Sequence, residues 1–263
     1  MARAIWKGVI RMPDVELPVK LYSAIEEQGV HFRLLHAKDK APVKQQMVNP
    51  ATGEVVPPER IRRGYEVEKG VYVELADEEL EALQPEPSRD IEITRFVEPQ
   101  HISHQWYERP YWLGPDGDEA GDDYFALARA LGERGVEGVA RWVMRKKSYV
   151  GALRAAGDYL MLVSLRHAEE VVPASALEPP GGRKPDEREI RMARQLVDAL
   201  ATDFDPASFQ DEYRERVLEL VQTKAEGGTV ELKEFRPKRP SDESLAKALE
   251  KSIAKAREKR SAA

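Results

Sequence analysis

Cysteine is absent from the 263 residues. That excludes disulfides, thiolate nucleophiles and cysteine-ligated zinc or iron–sulfur centres, and it fits a reducing compartment. No apolar run approaches the roughly 18 residues that a membrane helix needs. The basic residues near the N-terminus, Arg3 and Lys7, are followed by no apolar stretch of signal-peptide length, so secretion is not expected. Neither phosphate-cradling signature, GxxxxGK[ST] or GxGxxG, occurs. A charge excess of one sign is missing too: 41 basic against 47 acidic side chains leave a net of -6. Over the whole chain, that balance offers a polyanion nothing.

What is there is charge sorted into blocks. Residues 1–63 hold 11 basic and 7 acidic side chains, a net of +4. Residues 64–128 hold 4 and 17, a net of -13, and residues 129–167 hold 8 and 3, a net of +5. Residues 168–232 then carry 8 and 15, and residues 233–263 carry 10 and 5, nets of -7 and +5. A chain divided this way presents a basic surface in one place and an acidic one in another, so net charge does not exclude a nucleic-acid partner.

A hydrophobic content of 41% supports a real core. Strands are expected at Ala4–Ile10, at Val15–Tyr22, where apolar and polar residues alternate, and at Val30–Leu35. Pro18 marks the second as an edge strand or a bulge. Residues 36–63 are polar, basic and broken by proline and glycine, with little to bury. So long a connection is functional or protruding more often than not. Tyr65–Val67 and Val71–Leu75 predict a hairpin across Lys69-Gly70, and Asp77 an N-cap for a short acidic helix ending at Leu83. Further strands are expected at Ile91–Val97, Val136–Met144, Val150–Leu153 and Tyr159–Leu165, with a helix over Tyr124–Leu131. Short strands joined by turns favour a barrel or sandwich.

Proline and glycine at 173–182 mark a boundary, after which helices dominate. Leu196 and Leu200 fall on the apolar face of one helix, 186–201, and Val217 and Leu220 on that of another, 209–226. Such faces must pack on a barrel, a second copy or a partner. The expected organisation is mainly β: a barrel or sandwich over 1–172, a helical region over 173–228, and a basic tail over 229–263. The tail's helix candidate, 242–259, has little apolar face and is marginal alone.

No catalytic residue, metal ligand or cofactor is assigned. His101 and His104 form the only close histidine pair and are read as loop residues. Asp118, Glu119, Asp122 and Asp123 crowd one loop without calcium-site spacing. The basic groups are more informative. Lys38 and Lys44 lie on the 36–63 stretch, Arg60, Arg62 and Arg63 at its end, and Arg145, Lys146 and Lys147 at a strand end. Cations on loops of a rigid barrel reach backbone phosphates without reading base edges. No helix-turn-helix, zinc-finger or basic-zipper pattern is present. The residues alone leave three readings open: a sequence-independent nucleic-acid binder, a protein-interaction module, and an enzyme with a scattered site.

Several long collinear segments carry a resemblance. They are ARAIWKG at the N-terminus, LPVKLYSA at 17–24, RRGYEVEKGVYVELADEELEAL at 62–83, SRDIEITRFVEP at 88–99 and WYERPYWLGPD at 106–116. The run from ARWVMRKKSYVGALR to YLMLVSLRHAEEV completes them. Over residues 1–225 the chain resembles the prokaryotic Ku family, the DNA-end-binding proteins of bacterial non-homologous end joining. The resemblance implies a β-barrel core over 1–172 interrupted by a bridging arm, here 36–63, a helical arm and partner-binding region over 173–228, and a homodimeric ring around double-stranded DNA ends. It further implies phosphate contacts from Lys38, Lys44, Arg60, Arg62, Arg63, Arg145, Lys146 and Lys147, and recruitment of DNA ligase D by the region of Leu196, Leu200, Val217 and Leu220. It implies a protein of the cytoplasm and nucleoid with no chemical step of its own and no membrane partner. Many relatives carry a cysteine pair in the bridge; VKQQMVNPATGEVV has none, so no zinc is assigned. The rivals are a metal-dependent DNA end-processing enzyme, with Asp116–Asp123 as its nearest carboxylates, and a protein-only adaptor.

Overall fold

A computed structural model describes residues 3–227 apart from positions 118 and 180. The basic tail expected over 229–263 lies outside the described residues. Two compact units divide the chain: Met1–Gln28 with Phe32–Ala176, and Gly29–His31 with the chain from Leu177 onward.

The first unit is a closed seven-stranded barrel. Its strands are β1 (Trp6–Met12), β2 (Val15–Ser23), β5 (Asp90–Val97), β6 (Tyr107–Pro115), β7 (Glu137–Met144), β8 (Lys147–Ala156) and β9 (Tyr159–Leu165), in the order β1-β2-β6-β9-β8-β7-β5. All neighbours are antiparallel except the closing pair, β1 with β5, which is parallel and only three residue pairs long, from Val9↔Asp90 to Arg11↔Glu92. Two further strands, β3 (Arg63–Glu68) and β4 (Val71–Leu75), form a separate hairpin. Alternation places the core: β2 buries Leu17, Val19 and Leu21 and exposes or half-exposes the residues between them. Ile10, Ile91, Leu113, Leu153, Leu160 and Leu162 complete the interior.

Four α-helices accompany the strands among the described residues. The short α1 (Asp77–Ala82) follows the hairpin, and α2 (Gly121–Arg134) follows β6. Tyr124, Ala128 and Leu131, spaced i, i+4, i+7, put one α2 face against β6, β8 and β9. The Tyr124 hydroxyl donates to the Leu113 carbonyl at 2.6 Å and accepts from the Leu160 N–H at 2.7 Å, so one buried oxygen joins α2 to two strands. Gly135 ends α2 in the left-handed region, φ 61°, its N–H returning to Leu131. At Gly151 a close approach requires glycine: a Cβ there would stand 2.6 Å from both the Trp142 ring and the Val163 carbonyl oxygen. In the second unit, α3 (Glu187–Leu200) is capped by Asp186, which accepts from the Glu189 N–H, and α4 (Glu212–Ala225) by Asp211, which accepts from Arg214.

Three expectations need correction. Pro18 is neither at an edge nor in a bulge: β2 pairs with β1 on one side and β6 on the other. The Asp116 N–H donates to the Pro18 carbonyl, so the missing Pro18 donor faces the point where β6 has just ended at Pro115. Its opposite number Val9 directs its own N–H to Arg89, away from β2. No ladder bond is therefore lost on the β1 side. Residues 30–35 form no strand; Leu35 makes an isolated bridge to Pro42, while Phe32 and Leu34 stay exposed. Alternation there has no neighbouring strand to pair with. Finally, Asp77 is the first residue of α1 rather than its cap; Ala76 holds that position, and the Glu79 carboxylate accepts its N–H at 2.9 Å.

Candidate nucleic-acid interface

The stretch from Phe32 to Ile61 is almost wholly exposed and is organised by turns rather than by a core. His36 Nδ1 lies 2.8 Å from Asp39, whose carboxyl is held below its usual range by the Ala41 N–H and by His36. Gly53 returns its N–H to Asn49, with Val48 bridged to Val55. Lys38 and Lys44 are exposed on this framework, and neither is ion-paired among the described residues.

The three arginines behave differently. Arg60 lies 3.9 Å from Glu54, Arg62 is 3.6 Å from Glu74, and Arg63 is 3.4 Å from Asp77. Arg62 also donates to the Glu59 and Ile61 carbonyls at 2.8 and 3.1 Å. The hairpin register produces two of these pairs. Arg63 stands opposite Leu75, which brings Arg62 and Arg63 alongside Glu74 and Asp77. They line a groove of about 530 Å³ with Pro58, Ile61 and Leu75.

The second basic group sits at a tight turn. Met144 pairs with Lys147, leaving Arg145 and Lys146 as a two-residue connection from β7 to β8. Both have positive φ, 50° and 64°, a conformation that asparagine and glycine adopt far more readily. Lys146 Nζ reaches Glu81 Oε1 at 3.2 Å. Asp77 and Glu81 are i, i+4 on α1, so this helix places one carboxylate by the arginine triplet and another by the β7–β8 turn. The pairings of Glu81 and Asp77 thus bring Arg63 and Lys146 to one short helix. They do not bring Lys38, Lys44, Arg145 or Lys147 there. Surface pairs of this kind are individually weak and screened by salt.

Several groups that composition could not locate frame the barrel. Glu137 is buried, accepts the Tyr107 hydroxyl at 2.6 Å and lies 3.3 Å from Arg154. Burial first, and the Glu137 hydrogen bond second, push the Tyr107 phenol up to about 12. Asp116, the lead carboxylate of the end-processing alternative, lies 2.9 Å from both Lys7 and Lys20, which hold it below the usual carboxylate range. Among the described residues no three or more His, Asp or Glu side chains gather as metal ligands. Trp142 stacks on Tyr149, centroids 5.2 Å apart, beside a groove of about 980 Å³ that Arg11, Arg141 and His167 also line. In the second unit Leu200 is exposed, whereas Leu196, Val217 and Leu220 are half-buried. No helix among the described residues is long and apolar enough to cross a membrane.

The described residues form a closed barrel with a long exposed insertion, and their exposed cations cluster on connections and strand ends, where binding groups are commonly carried. The model of the Ku family, described as the Ku70/Ku80 beta-barrel domain, matches residues 11–192. Non-homologous end joining protein Ku 2 of Geotalea uraniireducens (strain Rf4) is 37% identical over 252 residues, 95% of this chain and 97% of that one. Non-homologous end joining protein Ku of Anaeromyxobacter sp. (strain K) is 40% identical over 98% of this chain and 87% of that one. The protein of the same name from Bacillus subtilis (strain 168) is 34% identical over 96% and 82%. The chain belongs to the Ku family. Among solved structures, the SPOC domain of human PHD-finger protein 3 aligns with a TM-score of 0.32 and 14% identity over 62% of this chain and 97% of that one, too slight a likeness to inform the fold.

Proposed function

We propose that the chain binds double-stranded DNA ends without regard to sequence, as a ring-shaped homodimer acting in non-homologous end joining, and that it carries out no chemistry itself. The observation that carries this reading is the set of exposed cations on connections of a rigid barrel, in a family whose relatives are named for end joining. Phosphate contacts by Lys38, Lys44, Arg60, Arg62, Arg63, Arg145, Lys146 and Lys147 give affinity for any duplex. Residues 36–63 serve as the bridging arm of a ring that two copies complete, since a half-ring leaves the duplex open on one side. Leu196, Leu200, Val217 and Leu220 belong to the region that recruits and stimulates DNA ligase D, and the protein works at the nucleoid.

Gel shifts on one duplex sequence, linear and covalently closed, test the reading. Strong binding to the linear form, weak binding to the circle and a steep fall with salt are expected. Equal affinity for the two topologies would sink the threading model.

A further inference from the structure

Four of the candidate phosphate-binding cations are already occupied by carboxylates of the same unit. Arg60 is paired with Glu54, Arg62 with Glu74, Arg63 with Asp77 and Lys146 with Glu81. Two of these acids, Asp77 and Glu81, are set one turn apart on one helix. All four pairs are exposed, with side chains more than 60% accessible, so burial does not explain them. Pairs so exposed add little to stability. They do alter what a phosphate meets when it arrives.

We infer that Glu54, Glu74, Asp77 and Glu81 are specificity-determining residues: carboxylates that compete with DNA phosphates for the cations and so suppress binding to any duplex that engages only one or two of them. The inference rests on the DNA-binding reading above. Exchanging a carboxylate for a single phosphate replaces one negative partner with another, and the gain is small. A duplex passing along the whole surface presents one charge per ~1.7 Å of axis and releases its condensed counterions as each cation is taken up. Many exchanges together then favour DNA, while a glancing encounter with internal duplex does not. Specificity in this scheme comes from a repulsive element placed beside the attractive one. Removal of the acids should therefore strengthen the wrong complex more than the right one.

The test compares full-length E74Q/D77N, which removes the carboxylates paired with Arg62 and Arg63, with E68Q/E86Q. Glu68 and Glu86 are exposed, lie near the same hairpin and helix, and are not ion-paired among the described residues. Both variants change net charge equally. Circular dichroism and thermal midpoints establish that each is folded. The expected result is that E74Q/D77N binds closed-circular duplex roughly three- to tenfold more tightly, with a smaller gain on linear duplex, while E68Q/E86Q shifts both by less than about twofold. Equal gains from the two variants would overturn the inference, since net charge would then account for them. Unchanged or weaker binding by E74Q/D77N would overturn it as well, because the carboxylates would then be orienting the arginines. A wild-type protein that binds no duplex at all would instead remove the functional reading on which the inference stands.

Discussion

Lys146 lies 3.2 Å from Glu81, a residue 65 positions earlier in the chain. The ammonium belongs to a turn between barrel strands and the carboxylate to the helix that follows the β3–β4 hairpin. The ion pair is a contact between that helix and the β7–β8 turn, exposed on both sides. It also involves a lysine with φ 64°, next to an arginine with φ 50°. Both residues occupy a left-handed conformation that disfavours their side chains, at a local cost.

Replacing Arg145-Lys146 by Asn-Gly should relieve that cost. A left-handed non-glycine residue costs about 1–2 kcal/mol, so the variant should be more stable by about 1 kcal/mol or more. Duplex affinity should fall at the same time. Urea midpoints and gel shifts run on one preparation check both; greater stability with unchanged affinity would show that the turn's cations do not face DNA.

The triple change Arg60→Ala, Arg62→Ala, Arg63→Ala should weaken duplex binding to the same degree for unrelated sequences. The salt slope should drop by roughly one unit for each phosphate that the variant no longer neutralises. Stability should hold to within about 0.5 kcal/mol per site, because the groups are exposed. Binding isotherms at several salt concentrations supply the measurement.

Tyr124→Phe removes the hydroxyl that serves both Leu113 and Leu160. A buried carbonyl and a buried N–H lose their partner together, at a cost of about 1–3 kcal/mol each before any relaxation. We expect a loss of at least about 2 kcal/mol in chemical denaturation. A loss below about 0.5 kcal/mol would mean that water replaces the phenol.

Stability should depend on pH through Tyr107. Its phenol titrates near 12 in the folded chain against 10.0 ordinarily. The folded state holds the proton more tightly, so the contribution is complete below pH 10 and is lost as pH rises from 10 to about 12. An ordinary lysine side chain ionises in the same window. The informative quantity is therefore the difference between wild type and Tyr107→Phe, which should shrink across that interval in denaturation midpoints.

Leu200→Asp places a charge on an exposed apolar position of α3. If the helical region recruits DNA ligase D, stimulation of nick sealing should fall by about tenfold or more while duplex affinity moves less than about twofold. Full stimulation by a folded Leu200→Asp protein would remove this residue from the partner surface.

The strands were legible where alternation and pairing agree. Ile91–Val97 is placed closely because one face of it is buried. The stretch 30–35 has the same apolar content and forms no strand, since the pattern records a face to bury and not a neighbour to bond with. Pro18 misled for a related reason: its missing donor matters only on one side, and which side follows from where β6 stops. Of the candidate interface, the basic residues themselves were visible and their company was not. Counting back from Lys69-Gly70 nearly pairs Arg63 with Leu75, but the irregularity between Glu66 and Glu68 shifts the register by one. That shift decides which acids the arginines meet. The Lys146–Glu81 pair has no local signal at all.

The insertion's attachment to the barrel has a mechanical consequence. It leaves from β2 and returns through β5, the two neighbours of β1, and both roots lie toward the Trp6 end of that strand. Laterally they are two strand spacings apart, roughly 10 Å, and along β1 they are offset, Leu21 standing beside Trp6 and Asp90 beside Val9. Any pull on the insertion is delivered to β1 from both flanks. On one flank seven residue pairs share the load, from Trp6↔Leu21 to Met12↔Val15, and on the other only the three of the parallel pair. Under tension the barrel should unzip along the β1–β5 seam while the β1–β2 ladder stays closed, a built-in fracture line beside the part that meets the load.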